Sequence, residues 1–549
     1  MHPVFTRERL TLAGLVLALI PLYFLLPWAG QGLSADKVGM YASPDETSNA
    51  VVARQLAWYG RLSVEEPLVA EFPWIHPRST VSQNEAIVPV GFTGWPWIIS
   101  VFSIFLGQGS VPFLATLLLL SAAIPLFALL RPFGFRAAWL GTLVAMSFPG
   151  MIVFANRGLF PQVAVVGFAI WSVYFITRLR SNDSPWMFGL VGFLVTLAAA
   201  SRPTELFWLL PWFVWAGRAL RPDRKRLAWA CAGALIPLTI LAFHAQMSYG
   251  AFWKSGYMIR DNPPVVVAPE TAVVGVSVDE TKSLLFPYGF HPRNVLWNAR
   301  AFLLGILFPW TVVLFGALVI VAYDARNTPS GFPFVRGREN ISAWKRLIEL
   351  YAVPLLCLWT VSVLVGYYGH GLYTDHVQIG AVTIANSFVR YLLPIGPIIG
   401  LAFAFLFSRL EKKRFGVLVG ILLAVGLAGS GTYAALAQDD EGMLVTRREL
   451  TRYRDIRDRA AEHFEPTDVI LSERSDKIFF PKYRAVSPLP PTSDVARLAK
   501  AHPELKIGLF ARPLSQVQVD EWRMAGFEPV ELFVSGREKL YLMQVTRRK

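Results

Sequence analysis

Acidic residues and a histidine are concentrated in the connection that follows the first apolar segment of this 549-residue chain. Asp45 and Glu46 are adjacent in it, and His76 follows further along. A carboxylate pair held near a membrane surface can serve as a general base, or as a metal ligand together with an imidazole. A simpler role also fits, because Ser43, Asp45 and Thr47 precede an apolar helical run, and such side chains commonly cap helices. Asp45 and Glu46 are therefore candidate catalytic residues, and a metal held by Asp45, Glu46 and His76 is left open.

Long apolar segments must position these groups. The composition is 54% hydrophobic and 16% charged, whereas a typical soluble domain is about 25% charged. Apolar segments of this kind are typical of membrane-spanning helices, and we predict an α-helical polytopic membrane protein with about eleven transmembrane helices. The predicted spans cover residues 10–28, 111–130, 137–154, 163–176, 186–200, 206–216, 227–244, 302–322, 351–367, 391–407 and 417–436. Cys231 and Cys357 lie inside such segments, so neither a disulfide framework nor a zinc site is expected.

The distribution of basic residues predicts the orientation of the chain. Residues 88–106 are apolar enough to cross the membrane. If they instead form a helix in the outer interface, all the basic connections lie in the cytoplasm together with Arg7 and Arg9. These connections are residues 131–136, 178–180, 218–226, 326–346 and 411–414. We therefore predict a plasma-membrane protein with a cytoplasmic N-terminus. The positive-inside rule also explains most of the basic residues behind the net charge of +14. We therefore expect membrane lipids as partners, and no nucleic acid.

The chain changes character near residue 438. Residues 438–549 are charged and alternate between amphipathic helical and strand-like runs, which predicts a small α/β domain outside the cytoplasm. Residues 1–437 form the predicted transmembrane domain, whose outer loop at 31–110 carries interfacial helices. The predicted C-terminal strands are residues 469–472, 506–510, 531–534 and 540–545, and the predicted helices are residues 447–463, 493–502 and 515–525.

Four motifs follow one another within residues 1–437. They are Pro44-Asp45-Glu46 with an Ala-rich run at 49–56, His76-Pro77-Arg78 before the interfacial helix, Ser147-Phe148-Pro149-Gly150 before the turn at 156–158, and the run from Ser387 to Pro394 at the outer entrance of a late span. In this order they resemble the membrane glycosyltransferases of the GT-C fold, which take sugars from polyprenyl-phosphate carriers. The resemblance is to the group that contains protein mannosyltransferases and aminoarabinose transferases.

The resemblance implies transfer of a sugar outside the cytoplasm from a polyprenyl-phosphate donor to a lipid, glycan or protein acceptor. Asp45 would then activate the acceptor as the catalytic base, with Glu46 either assisting it or facing solvent. The candidate groups for the donor phosphate lie in the outer connections and are Arg390, Arg202, Arg78, Arg157 and Tyr391. An arginine at the mouth of a span can bind phosphate through two parallel hydrogen bonds. It can equally be an interfacial anchor, and Glu205 could simply neutralise Arg202.

The sequence leaves open the cofactor and two alternative functions. The second acidic motif of the family is missing from residues 156–160, which read Asn-Arg-Gly-Leu-Phe, so a divalent metal is left open as a cofactor. A transporter or lipid flippase would place ionisable residues within its spans and show repeated halves, whereas the spans here are nearly free of acids. A non-catalytic membrane assembly protein that binds through its outer domain also fits the composition.

Overall fold

The computed structural model describes residues 3–28, 39–181, 183–218, 220, 222–259, 289–327, 343–373, 381–438 and 441–546. Its α-helices are α1 (Pro3–Tyr23), α2 (Leu25–Trp28), α3 (Pro44–Tyr59), α4 (Gly94–Leu106), α5 (Leu114–Leu130), α6 (Phe135–Met146), α7 (Pro149–Asn156), α8 (Pro161–Arg178), α9 (Pro185–Ser201), α10 (Leu206–Gly217), α11 (Arg224–Tyr249), α12 (Gly256–Ile259), α13 (Pro292–Asn298), α14 (Phe308–Asn327), α15 (Ala343–Tyr368), α16 (Ser387–Tyr391), α17 (Ile395–Leu410), α18 (Gly416–Ala437), α19 (Met443–Ala460), α20 (Asp476–Phe479), α21 (Thr492–Ala501) and α22 (Gln516–Met524). The strands are β1 (Val64–Glu65), β2 (Thr80–Gln83), β3 (Ala86–Pro89), β4 (Val469–Ser472), β5 (Arg484–Val486), β6 (Ile507–Ala511), β7 (Phe527–Ser535) and β8 (Glu538–Val545).

Contacts divide the chain into two units. The helical unit comprises Met1–Leu25, Ala115–Leu238 and Asn262–Val445, and the α/β unit comprises Leu26–Leu114, Thr239–Asp261 and Thr446–Lys549. The α/β unit thus unites most of the predicted outer loop with the predicted C-terminal domain and the end of α11. The predicted domain boundary near residue 438 stays a prediction.

Many of the helices are apolar, which confirms the predicted membrane fold class. Within the described residues, four helices are long and apolar enough to cross a membrane, and the number rises to seven if each bent helix pair is one span. The four are Leu114–Phe133, Arg224–Tyr249, Tyr351–Tyr368 and Gly416–Ala437. The bent pairs are Phe135–Met146 with Pro149–Asn156, Pro185–Ser201 with Pro203–Gly217, and Pro292–Ile306 with Phe308–Tyr323. The predicted total of about eleven spans and their orientation stay predictions, and the basic connection at 326–346 lies largely outside the described residues.

Helices of the helical unit approach one another closely at glycines. A Cβ atom on Gly141 of α6 would lie 2.6 Å from the carbonyl oxygen of Gly400 on α17. A Cβ atom on Gly400 would lie 2.5 Å from the carbonyl oxygen of Gly141, so the two backbones are in mutual contact. Lipid provides no hydrophobic driving force between helices, so such close packing contacts carry their association.

The C-terminal part of the α/β unit is a five-stranded mixed sheet in the order β5-β4-β6-β8-β7. Strands β5, β4 and β6 are parallel, and β8 is antiparallel to both β6 and β7. The structure confirms the four strands and three helices predicted for this region. It adds β5 and α20, which are three and four residues long and too short to give a recognisable period in the sequence.

Side chains from the predicted outer loop complete the core of this sheet. Val69, Phe72 and Ile75 belong to one buried cluster with Ile470 and Phe479. Burying a side chain of this size contributes about 1.5–3 kcal/mol, so the loop segment is held as firmly as a core element. Further along, residues 88–106 differ from the prediction of one continuous helix, because β3 continues to Pro89 and α4 begins only at Gly94. The place of α4 in the membrane interface stays a prediction.

Substitution of Gly141 tests the close packing of α6 on α17. We expect Gly141→Ala to lower the Tm of the purified protein in detergent, because the added methyl group must push the Gly400 backbone away. The intrinsic gain in helix propensity, about 1 kcal/mol, is too small to offset a displaced helix. Gly426→Ala on α18 is the matched control, since a Cβ atom there would meet nothing within 4 Å. Equal Tm values for the two variants would contradict the packing described.

Candidate functional site

A proline produces the bend that carries Arg202. Residues preceding proline avoid the helical conformation, and Arg202 accordingly has φ −158° and ψ 98°, where α9 ends. The chain then turns by 112° into α10 through a short 3₁₀ helix, Pro203–Glu205. Both charged side chains of this turn are buried, with 7% of Arg202 and 2% of Glu205 exposed. The Ser-Arg-Pro-Thr-Glu sequence thus places an ion pair at a break between two apolar helices.

Glu205 is the centre of a buried hydrogen-bond network. Its Oε1 lies 3.1 Å from Nε of Arg202 and accepts a hydrogen bond of 2.7 Å from the Tyr368 hydroxyl. Its Oε2 accepts a hydrogen bond from the indole N–H of Trp208. The neutralisation of Arg202 by Glu205, weighed from the sequence, is therefore present. Buried charges require such partners, and this network fixes the position of the Arg202 side chain.

Arg202 also lies against a stacked pair of tyrosines. The rings of Tyr368 and Tyr391 are parallel, with centroids 4.1 Å apart and an interplanar angle of 12°. Cζ of Arg202 lies 4.7 Å from the centroid of the Tyr391 ring and 5.4 Å from that of Tyr368. A guanidinium at these distances is attracted to the ring faces. The aromatic pair therefore stabilises the cation.

Arg390 extends the same cluster. It lies in the short helix α16, where the Asn386 side chain caps the first turn by accepting from the N–H of Phe388. Nη2 of Arg390 donates to the Ser387 hydroxyl at 2.9 Å and to the Tyr391 hydroxyl at 3.4 Å. Tyr391 thus contacts both Arg390 and Arg202, and it links the two guanidinium groups.

Phe160 connects a third arginine to the cluster. Cζ of Arg390 lies 4.2 Å from the centroid of this ring, and Cζ of Arg157 lies 5.0 Å from the same centroid. Arg157, like Arg390, is 7% exposed. The structure therefore brings together Arg157, Arg202, Arg390 and Tyr391, which the sequence predicted separately as phosphate-binding residues.

Tyr373 reports on the electrostatics of this cluster. Burial raises the pKa of its phenol well above the ordinary value, and the neighbouring phenols of Tyr391 and Tyr368 raise it further. Arg202 and Arg390 both act in the opposite direction on the pKa of Tyr373. The phenol remains protonated at neutral pH, and it donates a hydrogen bond to the Tyr368 carbonyl oxygen. Its role is to hold the end of α15 in place beside the arginines.

The cluster has the chemistry of an anion-binding site. Guanidinium groups present planar sets of N–H donors that match phosphate oxygens. In a buried, apolar environment their attraction to an anion is stronger than in water. We name this set the arginine–tyrosine cluster, and it consists of Arg157, Arg202, Arg390, Tyr368 and Tyr391.

Asp45 lies in the α/β unit, in the first turn of α3. The sequence left open whether Asp45 caps this helix, and the structure gives the capping role to Ser43, whose hydroxyl accepts from the N–H of Asp45 at 3.2 Å. The carboxylate of Asp45 instead accepts a hydrogen bond from the Ser79 hydroxyl. Asp45 is half-buried, and this hydrogen bond orients its carboxylate.

Ser79 adopts an unusual backbone conformation. Its φ of 61° is in the left-handed region, which is costly for residues other than glycine and is kept where the surroundings determine it. The Ser79 carbonyl oxygen accepts from the Ser48 hydroxyl at 3.1 Å and from the N–H of Val90 at 3.0 Å. These bonds hold the residue in the conformation that directs its hydroxyl to Asp45. No feature of the sequence signalled this contact.

Glu46 is the buried neighbour of Asp45. Its side chain is 0% exposed, and it lies close enough to Tyr41 to affect that residue. Burial raises the pKa of the Tyr41 phenol, Glu46 raises it further, and Arg54 lowers it. Catalytic assistance by Glu46 stays a prediction.

The two remaining predicted residues are engaged within the α/β unit. Arg78 forms an ion pair with Asp476, in which Nε and Oδ1 are 2.8 Å apart. His76 is half-buried, and its carbonyl oxygen accepts from the N–H of Ser487 at 3.1 Å. Phosphate binding by Arg78 stays a prediction. Across the described residues no three His, Cys, Asp or Glu side chains form a group that could hold a metal ion. A metal held by Asp45, Glu46 and His76 stays a prediction.

Comparison with known proteins gives an informative likeness at the level of the fold. No protein-family model matches the sequence, and no curated protein matches it either. The structure is similar to the apo crystal structure of ArnT from Cupriavidus metallidurans, with a TM-score of 0.51 and 11% sequence identity, over 96% of this chain and 97% of that chain. At this identity the likeness concerns the fold. The chain therefore has the GT-C-like fold that its motifs predicted.

Loss of the Glu205 carboxylate should destabilise the helical unit. In Glu205→Ala the guanidinium of Arg202, the hydroxyl of Tyr368 and the indole N–H of Trp208 lose a buried acceptor. We expect the free energy of unfolding to fall by about 3–5 kcal/mol. The measurement is the Tm of the purified protein, which should be lower than that of the wild type.

Asp520→Ala is the matched control for this prediction. Asp520 pairs with Arg523 at the same three-residue spacing, but 55% of its side chain is exposed. Such surface pairs contribute at most about 1 kcal/mol, so the control should melt close to the wild type. A similar decrease in Tm for both variants would show that the Glu205 network does not stabilise the fold.

Proposed function

We propose that this protein is a glycosyltransferase, which moves a sugar from a polyprenyl-phosphate-linked donor to an acceptor hydroxyl on the extracytoplasmic side of the membrane. The observation that carries the proposal is the arginine–tyrosine cluster. Three guanidinium groups converge there between apolar helices, and their planar sets of N–H donors match the oxygens of a phosphate group. The GT-C-like fold adds support, since the ArnT structure shares it over nearly the whole chain.

The arginine–tyrosine cluster would bind the donor phosphate. The bond between the sugar and the phosphate breaks during transfer, and negative charge increases on the departing phosphate oxygens. Fixed guanidinium groups stabilise this charge without reorganisation in the transition state. Arg202 is held by Glu205 and Tyr368, and Arg390 is held by Ser387 and Tyr391, so both are positioned before the donor binds.

Asp45 would act as the general base. The acceptor hydroxyl forms a new bond to the sugar carbon, and its proton passes to the carboxylate of Asp45. The Ser79 hydroxyl orients this carboxylate, and its partial exposure lets an acceptor approach. The acceptor would be a lipid, glycan or protein.

The α/β unit also supports the predicted topology. Segments that pack in one unit must lie on the same side of the membrane. The first outer connection, the end of α11 and the C-terminal sheet are all in this unit, and the Tyr249 hydroxyl donates to the carbonyl oxygen of Pro89 at 2.9 Å. An even number of spans must then separate them along the chain, as in the predicted arrangement.

Cysteine labelling in intact cells tests this orientation. We expect Glu521→Cys on α22 to react with a membrane-impermeant maleimide added from outside, because α22 belongs to the C-terminal sheet domain. Lys412→Cys, in the connection between α17 and α18, should react only after the cells are permeabilised. The reverse pattern would refute the proposed orientation.

Two substitutions test the proposed chemistry in one assay. With purified protein and synthetic polyprenyl-phosphate sugars, we expect Asp45→Asn to lower kcat by a factor on the order of 10²–10⁴, because the base is lost. Arg390→Gln should raise KM for the donor about 10- to 100-fold, because a charge-assisted hydrogen bond to phosphate is lost.

Matched controls separate these effects from general damage. Asp494→Asn removes a carboxylate from the surface of α21, and Arg218→Gln removes an exposed arginine whose Cζ lies 4.5 Å from the Trp215 ring centroid. Both should transfer sugar at the wild-type rate. Unaltered transfer by Asp45→Asn would remove Asp45 from catalysis. A wild-type protein inactive with every donor would favour an assembly protein or a transporter.

A further inference from the structure

The C-terminal sheet domain contacts the segment that precedes Ser79. Asp476 begins α20, and its side chain is 1% exposed. Its Oδ2 accepts from the backbone N–H of Arg78 at 2.9 Å, and its Oδ1 accepts from Nε of the same residue at 2.8 Å. One carboxylate therefore fixes both the backbone and the side chain of Arg78. The next residue along the chain is Ser79, the hydrogen-bond donor to Asp45.

The neighbouring residue contacts the segment that precedes Asp45 itself. Nζ of Lys477 donates to the carbonyl oxygen of Ala42 at 2.5 Å. The same ammonium lies 5.1 Å from the centroid of the Tyr453 ring. Ala42 is followed by Ser43, whose hydroxyl caps α3 and accepts from the N–H of Asp45. Lys477 thus fixes the start of the helix that carries Asp45.

Two adjacent residues of the C-terminal domain therefore hold the two loop segments that contact Asp45. The His76 carbonyl oxygen gives a third attachment on the same side of Arg78, because it accepts from the N–H of Ser487. The left-handed conformation of Ser79 needs such support, since a strained residue relaxes where its neighbours are free to move. Without the attachments at Arg78 and Ala42, the Ser79 hydroxyl and the first turn of α3 could move apart.

We propose that Asp476 and Lys477 are positioning residues, through which the C-terminal domain sets the orientation of the Asp45 carboxylate. The inference rests on the proposed function only in giving Asp45 a catalytic role. The structural part of it, the attachment of residues 42–48 and 78–80 to the C-terminal domain, can be measured without any activity. This assigns the C-terminal domain a part in catalysis that its surface composition did not reveal.

Hydrogen–deuterium exchange of the full-length protein in detergent tests the attachment directly. In Lys477→Met and in Asp476→Asn, we expect amides of residues 45–48 and 79–82 to exchange at least about tenfold faster than in the wild type, because the loop opens locally more often. Amides of β4 and β6 should exchange at the wild-type rate. Lys482→Met is the matched control, since its ammonium lies over the Tyr483 ring, and it should leave all these rates unchanged.

Kinetics of the same variants test the effect on catalysis. A misplaced base slows the chemical step without weakening the donor, so we expect kcat to fall about 10- to 100-fold while KM for the polyprenyl-phosphate donor stays within about twofold. If Asp476 and Lys477 had only a structural role, their substitution would lower the active fraction and the Tm together. Exchange at residues 45–48 would then increase no more than exchange in β4.

The outcomes separate the two proposals. Unchanged exchange at residues 45–48 in Lys477→Met would overturn the positioning role, whatever the activity. If Asp476→Asn loosens the whole sheet, the exchange of β4 and β6 will show it, and Lys477→Met decides instead, because it leaves the buried ion pair intact. A wild type inactive with every donor would refute the proposed function, while the exchange data would still decide whether the C-terminal domain holds the loop. Faster exchange with unchanged kcat would overturn the catalytic part of the inference.

Discussion

Burial of Arg157, Arg202 and Arg390 among apolar helices is the constraint on which the helical unit depends. A guanidinium removed from water loses its hydrogen bonds to water, and contacts within the protein must replace them. Here the replacing groups are ring faces of phenylalanine and tyrosine, serine and tyrosine hydroxyls and the Glu205 carboxylate. These partners come from the ends of different helices, so the bend at Pro203 and the stacking of Tyr368 on Tyr391 are conditions for keeping the cations in place. Stability and the proposed anion binding therefore depend on the same set of contacts.

The sequence predicted those parts of the structure that have local signals. Apolar segments indicated the helices, alternation indicated four strands of the C-terminal sheet, and arginines at the ends of spans proved to share one cluster. Glu205 gave a partial signal, since it follows Arg202 by three residues on a turn. The contact between Ser79 and Asp45 gave none, because it depends on a backbone conformation that serine rarely adopts. Asp476 gave none either, because its partner is 398 residues away.

Arg78 illustrates why a motif alone does not assign a role. An arginine after His-Pro suits a phosphate oxygen and a buried aspartate equally well, since both offer the same paired acceptors. The fold places Asp476 against Arg78, and phosphate binding by Arg78 stays a prediction. The same holds for the chain as a whole: a fold shared with ArnT at 11% identity constrains where helices lie, whereas the chemistry depends on the side chains at particular positions.

The core that Phe72 and Ile75 share with Ile470 and Phe479 also affects how the protein is made. The ribosome synthesises the first connection long before strand β4, so this segment must wait for its packing partners until translation is almost complete. Contacts of such long sequence separation form late. A nascent chain therefore holds Asp45 in an unfinished setting while its helices insert into the bilayer, and a prematurely terminated product would expose Phe72 and Ile75 to proteases and chaperones. The core around Phe72 and Ile75 can therefore close only after the C-terminal strands have been synthesised.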